Sequence, residues 1–335
     1  MSDIRTEYYK ENAGTGLKDT VMREALASLQ GRLGPATASA YRNLPEGPGL
    51  RDTAHDIRMT AVEHLDILLP ALAEKIRDRG GKVFFAATAR EAVDYCLKVA
   101  QKNGVKRVIK GKSMVTEEVG LNPALEAAGV EVTETDLGEY IIQLAGESPS
   151  HIIAPAIHKT RKEVGELFRD KLDIPYTDDP PELTRAARAA LRRKFLAADM
   201  GITGCNIACA ETGHITTVSN EGNIRMSTTM PKIHMAFMGM ERITAKLSDH
   251  EILFRLLSRG AAAQNLAGYV SYLGGPRTRD QTDGPEEFHL VILDNGRSKI
   301  LADPEFREVL TCIRCAACLN VCPVYGSIGG HAYGA

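Results

Sequence analysis

The chain has 335 residues, of which 44% are hydrophobic and 25% are charged, and its formal net charge is −2. This balance excludes a large electrostatic footprint for nucleic acid, and no apolar run approaches the roughly 18 residues that span a membrane. Residues 1–10 lack the hydrophobic core of a secretion signal. We therefore expect a cytoplasmic protein without direct membrane insertion, whose seven cysteines serve a metal or redox site rather than disulfides.

Residues 1–80 are predicted to form a helical region. Residues 20–30 have an amphipathic pattern, whereas residues 31–49 are rich in glycine and proline and predict an irregular connection. Apolar side chains recur at helical spacing over residues 52–79, and two glycines follow. One long helix is therefore predicted there.

Residues 81–300 are predicted to form an α/β domain, because short apolar segments alternate with helical patterns. The predicted strands cover residues 83–86, 105–109, 130–133, 151–154, 206–210, 215–219, 233–238, 267–273 and 288–293. The predicted helices cover residues 88–103, 117–128, 136–145, 160–169, 182–200 and 248–259. This alternation predicts a mostly parallel layered sheet with helices on both faces.

Residues 301–335 contain a short predicted helix at residues 303–310 and then the strongest motif of the chain. Four cysteines have the C-x2-C-x2-C-x3-C-P spacing of bacterial ferredoxins: Cys312, Cys315, Cys318 and Cys322. This spacing lets one tight turn present three thiolates to an iron–sulfur cubane. Structural zinc is the alternative, but zinc sites usually combine two distant cysteine pairs or cysteine with histidine. We predict that the cysteines hold a [4Fe-4S] cluster and begin an α-helical ferredoxin module.

The same cysteine run leaves the number of clusters open. In two-cluster ferredoxins the fourth cysteine of a run binds the cluster of a second run, and this sequence has no second run. Either Cys322 completes a single cluster, or the natural polypeptide continues and holds a second cluster. We favour the longer polypeptide, truncated here within the module.

Two polar loops are candidates for a ligand cleft. Residues 211–214 lie between two predicted strands and residues 220–223 follow the second of them, so we expect both loops to border one cleft at a sheet edge. Glu211 and Glu221 are the candidates there for acid–base catalysis. Ordinary polar hairpin turns are the alternative interpretation.

Other residues are candidates for binding a substrate or a partner. Lys112 belongs to a basic cluster at residues 106–112, which is a solvated face, a site for phosphate or carboxylate, or a partner surface. His158 precedes a predicted helix, where it either contacts an anion or belongs to a cap. Asp136 and Glu139 either complement a helix dipole, which is the favoured interpretation, or belong to a site. The full set of binding candidates is Lys112, Ser113, His158, Asn220, Gly222 and Asn223. Three further cysteines are expected to be buried free thiols: Cys96, Cys205 and Cys209.

Several segments, taken in chain order, resemble the lactate-utilisation iron–sulfur proteins of the LUD-domain family. The matching segments are KSMVTEE at 112–118, ETDLGEYIIQL at 134–144, PSHIIAPAIH at 149–158, ETG at 211–213, SNEGN at 219–223, MPK at 230–232, and the cysteine run with GGHAYG at 329–334. The resemblance covers roughly residues 50–335. Together these segments are far more specific than the cysteine run alone.

The resemblance implies an α/β body similar to sugar-phosphate isomerases, CoA transferases and formyltetrahydrofolate cyclo-ligase. It also implies an electron-transfer subunit of a quinone- or cytochrome-linked L-lactate dehydrogenase complex, which oxidises L-lactate to pyruvate, rather than a complete enzyme. The implied partners are a small LUD-domain protein and a cysteine-rich-domain iron–sulfur protein. The family's ferredoxin module continues with a second cysteine run and a further C-terminal segment, both of which this sequence lacks.

Two other functions are compatible with parts of the sequence. A stand-alone isomerase- or ligase-like enzyme would use the cluster as a structural element. An iron–sulfur regulator that binds nucleic acid is disfavoured, because the net charge is near zero and no helix-turn-helix pattern is present. We therefore expect no nucleic-acid partner.

Overall fold

The computed structural model describes residues 8–45, 47, 49–147, 149 and 154–332, so the strand predicted at residues 151–154 lies mostly outside the described residues. The helices are α1 (Tyr9–Lys18), α2 (Thr20–Arg42), α3 (Gly49–Glu63), α4 (Leu65–Asp78), α5 (Ala89–Lys102), α6 (Met114–Glu118), α7 (Leu121–Ala127), α8 (Leu137–Ala145), α9 (Arg161–Leu172), α10 (Pro180–Ala197), α11 (Asn223–Thr229), α12 (Ser248–Ala262), α13 (Arg297–Ala302) and α14 (Pro323–Ile328). The strands are β1 (Lys82–Ala86), β2 (Arg107–Lys110), β3 (Glu131–Glu134), β4 (Met200–Gly204), β5 (Ile207–Cys209), β6 (His214–Ser219), β7 (Ile233–Gly239), β8 (Ile243–Thr244), β9 (Tyr269–Leu273) and β10 (Glu287–Leu293). None of the helices in the described residues has the length and apolarity that crossing a bilayer requires.

The N-terminal region is helical, as predicted, but its helices are divided differently. α2 continues to Arg42 through the segment that was predicted to be irregular, and it contains Pro35. Tertiary packing explains this, because Thr37 and Ala40 within that segment are buried and α2 packs against α12 and α14. Such burial outweighs weak local helix propensity. The single helix predicted over residues 52–79 is interrupted at His64, which separates α3 from α4.

The central element is a six-stranded sheet with the strand order β1-β10-β7-β4-β2-β3. Every neighbouring pair in it is parallel, so the predicted parallel α/β sheet is confirmed. One face is covered by α5 and α7, which bury Cys96 and Leu125. The opposite face is covered by α4 at one end and by α8, α9 and α10 at the other, with Leu72 and Phe168 in the core. The sheet therefore has helices on both faces, as predicted.

The strand β4 has no counterpart among the predicted strands, because the helix predicted at residues 182–200 runs into it. α10 instead ends at Ala197, and β4 begins at Met200. Two glycines within its five residues make the segment a poor strand former, so its local sequence does not reveal it. Packing requires the first of them: a side chain at Gly201 would collide with the Ser227 carbonyl of α11.

The strands predicted at residues 206–210, 215–219 and 267–273 form a second sheet and do not join the parallel one. Its order is β8-β5-β6-β9, and the β5–β6 and β6–β9 pairs are antiparallel. The physical reason is the length of the connection, because residues 210–213 join β5 to β6. Such a short segment closes a hairpin, whereas parallel neighbours need a long crossover.

The helix predicted at residues 303–310 is present only as a 3-10 helix at Arg307–Thr311. α13 ends before it, and Asp303 has an extended backbone. Pro304 follows directly, and a proline disfavours the helical conformation of the residue before it.

The segment after the cysteines packs on the N-terminal helices. Pro323 begins the short helix α14, in which Tyr325 is fully buried in a cluster with Leu26 of α2. Gln30 of α2 donates hydrogen bonds from Nε2 to two backbone carbonyls of the cysteine segment, at 2.8 Å and 2.9 Å. The N-terminal helices and the cysteine segment therefore form one packed unit.

Candidate functional site

A cavity of about 310 Å³ lies at the carboxyl ends of β2 and β4. The chain places β3 on one side of β2 and then β4 on the other side, so the strand order reverses here. Such a switch point leaves a crevice at the sheet edge, where ligands of open α/β sheets bind. The polar lining residues are Lys112, Ser113, Asp136, Thr203, Asn206, Thr217, Ser219, Asn220, Glu221, Asn223, Arg242 and Arg314.

Most of the binding candidates that the sequence indicated meet at this cavity. Those that line it are Lys112, Ser113, Asn220, Glu221 and Asn223. Gly222 lies in the same loop, between Glu221 and Asn223, and begins the turn into α11. The candidates that are neighbours in the sequence at residues 220–223 are therefore also close together at the cavity.

Glu211 lies outside the residues that line the cavity, so the prediction that both loops border one cleft is wrong. One loop precedes β6 and the other follows it, so they lie at opposite ends of that extended strand. The Glu211 carboxylate instead accepts a hydrogen bond of 2.9 Å from the Leu247 N–H, next to the start of α12.

His158 also lies outside the lining residues. It is hydrogen-bonded through Nε2 to the Glu147 carboxylate at 2.8 Å, and its ring packs edge-on against His331. Lys159 forms a second ion pair with the same carboxylate. The anion that His158 contacts in this structure is therefore a carboxylate of the chain itself.

Two carboxyl groups share the N-terminus of α8 at the cavity wall. Asp136 caps the helix and accepts a hydrogen bond of 3.2 Å from the Glu139 N–H, and Glu221 accepts one of 3.2 Å from the Leu137 N–H. Burial and the neighbouring Asp136 carboxylate raise the pKa of Glu221. Lys112 lies 3.5 Å from Asp136 and offsets one of the negative charges. Glu221 is therefore the group that can hold or release a proton at the cavity, which is the chemistry of a general acid or base.

The loop that carries Glu221 is held in place by its own side chains. The Ser219 hydroxyl donates to Asn223 Oδ1 at 2.8 Å and accepts from the Glu221 N–H at 3.1 Å. Asn223 Nδ2 donates to the Thr135 hydroxyl at 3.2 Å, which ties the loop to the end of β3. Gly222 has a φ of +75°, a left-handed conformation that favours glycine. These contacts fix the position of the Glu221 carboxylate in the cavity wall.

A second group of charges is buried behind this wall. Lys110 and Glu134 face each other in the parallel register of β2 and β3, and their side chains form a buried ion pair of 2.8 Å. Burial, together with the charges of Glu117 and Glu134, raises the pKa of Glu139 to about 8. The basic residues at 106–112 are therefore not one solvated face, because Lys110 points into the protein.

The cysteine run is fastened to the α/β body by two buried arginines. Arg242 donates a hydrogen bond of 2.6 Å to the Cys312 carbonyl. Arg58 of α3 donates one of 3.1 Å to the Leu310 carbonyl. Both guanidinium groups are almost completely buried. The run is held at the rim of the cavity, and its Arg314 becomes part of the cavity wall.

Backbone N–H groups point at two of the cysteine sulfurs. The Arg314 N–H donates to Cys312 Sγ and the Tyr325 N–H donates to Cys322 Sγ, both at 3.4 Å. Arg314 and Ala316 have left-handed backbones, with φ of 58° and 59°. Turns of this kind direct successive N–H groups toward an anion, as at many iron–sulfur sites.

Within the described residues, no three His, Cys, Asp or Glu side chains are already gathered around a common metal position. Among the motif cysteines, Cys312 and Cys318 are exposed, and Cys315 and Cys322 are half-buried. Their role as cluster ligands stays a prediction. The three other cysteines are buried free thiols, as expected: Cys96, Cys205 and Cys209.

Several lining residues were not binding candidates in the sequence, and Asp136 and Arg314 are the charged ones with the largest consequence for the site. Asp136 resembles an ordinary helix-capping charge, although its place shortly after the predicted strand at 130–133 puts it at the same sheet edge as Lys112. Arg314 lies inside the cysteine run, and no local pattern shows that the run docks at the cavity.

The fold and the site together define an α/β protein with a polar cavity at the switch point of a parallel sheet and a cysteine run at its rim. The family model of the LUD domain matches residues 69–293. The chain belongs to the LUD-domain family, as its sequence motifs indicated.

Relatives that are about half identical to the chain cover nearly all of it. The Lactate utilization protein B of Bacillus subtilis (strain 168) is 49% identical over 332 residues, which are 99% of this chain and 69% of that protein. The Lactate utilization protein B of Bacillus licheniformis is 50% identical with the same coverage. The crystal structure of a DUF162 family protein from Deinococcus radiodurans is 14% identical, with a TM-score of 0.38, and covers 68% of this chain and 98% of that chain.

Proposed function

We propose that this chain takes part in lactate utilisation as the iron–sulfur electron-transfer subunit of a complex that oxidises L-lactate to pyruvate. Its half-identical relatives are named lactate utilization proteins. Its C-x2-C-x2-C-x3-C-P run has the ligand spacing of a [4Fe-4S] cluster. In this proposal its partners are a small LUD-domain protein and a cysteine-rich-domain iron–sulfur protein.

The observation that carries the proposal is the position of the cysteine run at the cavity. Arg314 lies between Cys312 and Cys315 in the chain and lines the cavity itself. Arg242, which also lines the cavity, holds the Cys312 carbonyl. A redox group on these thiolates would therefore adjoin the space in which a small substrate binds.

The donor set fits an iron–sulfur cluster. The residues that would hold it are Cys312, Cys315, Cys318 and Cys322, the last bound either to the same cluster or to a second one. N–H···S hydrogen bonds, which this structure shows at two of the sulfurs, stabilise the negative charge of such a centre. When bound, the cluster would accept and pass on one electron at a time.

The residues of the cavity would bind the substrate and handle its proton. Glu221 is the proton-accepting group in this proposal, because burial and the neighbouring Asp136 carboxylate raise its pKa. Lys112 balances part of the remaining charge. Arg58 and Arg242 keep the cysteine run against the cavity throughout.

The same carboxyl pair favours a second candidate, a stand-alone isomerase- or ligase-like enzyme in which the cluster is structural. A general acid or base in a sheet-edge cavity is sufficient for proton-transfer chemistry without a partner. Turnover of a substrate by the chain alone, without transfer of electrons to a dye, would favour this candidate. A requirement for the partner subunits would favour electron transfer.

Anaerobic reconstitution with iron and sulfide tests the cluster. We expect a broad absorbance at about 400 nm that dithionite bleaches, with both iron and acid-labile sulfide bound. Cys312→Ser should lower the content of both, because a hydroxyl is a poor ligand for iron where a thiolate is needed.

Cys96→Ala is the matched control, because Cys96 is a cysteine of α5 that is buried in the core, and this variant should keep the wild-type iron content. Stoichiometric zinc without sulfide would contradict the proposal. So would an iron content that is the same in Cys312→Ser and in the wild type.

A further inference from the structure

Three cationic side chains line the cavity: Lys112, Arg242 and Arg314. Two of them are already engaged within the chain. Lys112 lies 3.5 Å from the Asp136 carboxylate. Arg242 donates its guanidinium hydrogen bonds to backbone carbonyls of the cysteine run. Arg314 is therefore the remaining cation of this group.

Arg314 is half-buried, and it forms no ion pair with any residue in the described ranges. Its Nη1 lies 3.6 Å from Met114 Sδ, which is a weak acceptor. Glu118 attracts it from a distance, but both oxygens of Glu118 accept hydrogen bonds from Arg297. A partly desolvated guanidinium without an acidic partner is costly, and an anion in the cavity would remove that cost.

The space that Arg314 borders suits a small organic acid. Its volume of about 310 Å³ is at the small end of the range for ligand pockets. Val218 and Leu257 supply an apolar wall for a short carbon chain. Asp136 and Glu221 line the same space and can accept a hydrogen bond from a hydroxyl, and Glu221 can donate one to a carbonyl when it is protonated.

We propose that Arg314 is the specificity-determining residue of this cavity and binds the carboxylate of a small acid that has a hydroxyl or carbonyl on the adjacent carbon. The guanidinium donates two parallel hydrogen bonds to the carboxylate, the strongest arrangement for this pair. The Asp136–Glu221 pair meets the oxygen on the adjacent carbon. The identity of the acid as lactate or pyruvate rests on the proposed function, whereas the carboxylate is required by Arg314 itself.

The position of Arg314 links the cavity to the cysteine run. A bound carboxylate neutralises a positive charge between Cys312 and Cys315 in the chain. Positive charge beside a cluster favours electron uptake, and reduction potentials depend on the local net charge. A carboxylate in the cavity should therefore lower the potential of a cluster held by this run.

Isothermal titration calorimetry with pyruvate tests the assignment, on the full chain both before and after cluster reconstitution. The chain has no tryptophan, so calorimetry is preferable to a fluorescence titration. Arg314→Gln should weaken pyruvate binding at least about tenfold, or ~1.4 kcal/mol. Arg314→Lys should keep part of the affinity, because it retains the charge but loses the bidentate geometry. Arg90→Gln is the control, since the side chain of Arg90 is 91% exposed on α5, and it should bind pyruvate as the wild type does.

Methyl pyruvate separates the carboxylate from the rest of the ligand, because the ester carries no negative charge. It should bind more weakly than pyruvate to the wild type and with equal affinity to the wild type and Arg314→Gln. Equal pyruvate affinities of these two proteins would overturn the assignment. The same holds if neither pyruvate nor L-lactate binds to the chain in either state. Where Arg314→Gln does not fold, a ratio of pyruvate to methyl pyruvate affinity near one in the wild type overturns it.

Failure of this assignment and failure of the proposed function give different results. A chain that binds pyruvate through Arg314 but never holds iron and sulfide keeps the binding site and loses the electron-transfer role. A chain that holds a cluster but binds neither acid keeps that role and loses the assignment. In the reconstituted chain, pyruvate should lower the midpoint potential in the wild type and leave it unchanged in Arg314→Gln.

Discussion

Buried charge is concentrated at the carboxyl ends of β2 and β3, directly behind the cavity. Lys110 and Glu134 neutralise each other there. The pKa of Glu139 is raised to about 8 by burial and by the charges of Glu117 and Glu134, and the charges of Lys110 and Lys112 offset only part of this effect. At neutral pH the folded protein therefore holds a proton on Glu139 that the unfolded chain releases.

The variant Glu139→Gln cannot hold this proton, so comparing the pH dependence of its stability with that of the wild type tests whether Glu139 is protonated. The pKa of Glu139 is above its ordinary value of 4.5 in the folded state, so the free energy of unfolding should fall as the pH rises from about 4.5 toward 8. We expect this fall to be about 1–3 kcal/mol larger in the wild type than in Glu139→Gln. Urea unfolding at pH 5 and pH 8 measures it. Glu126→Gln, at an exposed position of α7, should keep the wild-type dependence; the same dependence in Glu139→Gln would refute the assignment.

At the scale of secondary-structure elements, the cysteine run packs closely on helix α12. A Cβ atom at Gly260 would lie 2.7 Å from Cys315 Sγ and 2.7 Å from the Tyr41 hydroxyl oxygen. A glycine inside a helix costs about 1 kcal/mol relative to alanine, so this position needs an explanation beyond helix formation. The close approach of the cysteine run supplies it, because no larger residue leaves room for Cys315.

Gly260→Ala should displace the cysteine run from α12. We expect the clash to outweigh the gain in helix propensity and to lower the free energy of unfolding by about 1–3 kcal/mol, with less iron bound after reconstitution. The matched control is Gly31→Ala inside α2, where an added Cβ meets nothing within 4 Å. This control should raise stability by about 0.5–1 kcal/mol. Denaturant unfolding and iron analysis measure both variants, and a Gly260→Ala protein as stable as Gly31→Ala would contradict the packing argument.

At the scale of the whole molecule, one buried arginine connects three distant parts of the chain. Arg58 of α3 is 1% exposed and donates hydrogen bonds to Ile243 O in β8 at 2.6 Å and to Leu310 O at 3.1 Å. Burial lowers the pKa of Arg58 to about 9, so the guanidinium is charged at neutral pH. Hydrogen bonds from a charged donor contribute about 1.5–3 kcal/mol each. This side chain therefore stabilises the N-terminal helices, the second sheet and the cysteine run together.

Arg58→Met should release the start of the cysteine run and destabilise the protein by about 3–5 kcal/mol, because it leaves several buried carbonyls without a donor. Hydrogen–deuterium exchange should be faster in residues 310–313. Arg51→Met, an exposed position of the same helix, is the control and should leave that exchange unchanged. Unaltered protection of residues 310–313 in Arg58→Met would show that the run is held by other contacts.

The sequence by itself determined the features that depend on neighbours within a few residues. α5 begins at a Thr88 cap and ends before Gly104, and the apolar runs of β7 and β10 are strands. The alternation of such segments was enough to predict a parallel α/β sheet with helices on both faces. The family motifs were likewise contiguous, and they brought the loop at residues 219–223 to attention before any spatial information.

Only the tertiary structure decided how the site is assembled, because its contacts join segments far apart in the chain. β4 is a strand although its glycines disfavour one, since α11 needs the space at Gly201. Glu211 and Glu221 separate because the strand between them belongs to an antiparallel hairpin. Arg314 reaches the cavity because buried groups hold the cysteine run in place. One of them, Arg58, lies some 250 positions earlier in the chain. Local propensity acts over a few residues, whereas burial and buried hydrogen bonds act between whatever surfaces the complete fold brings together.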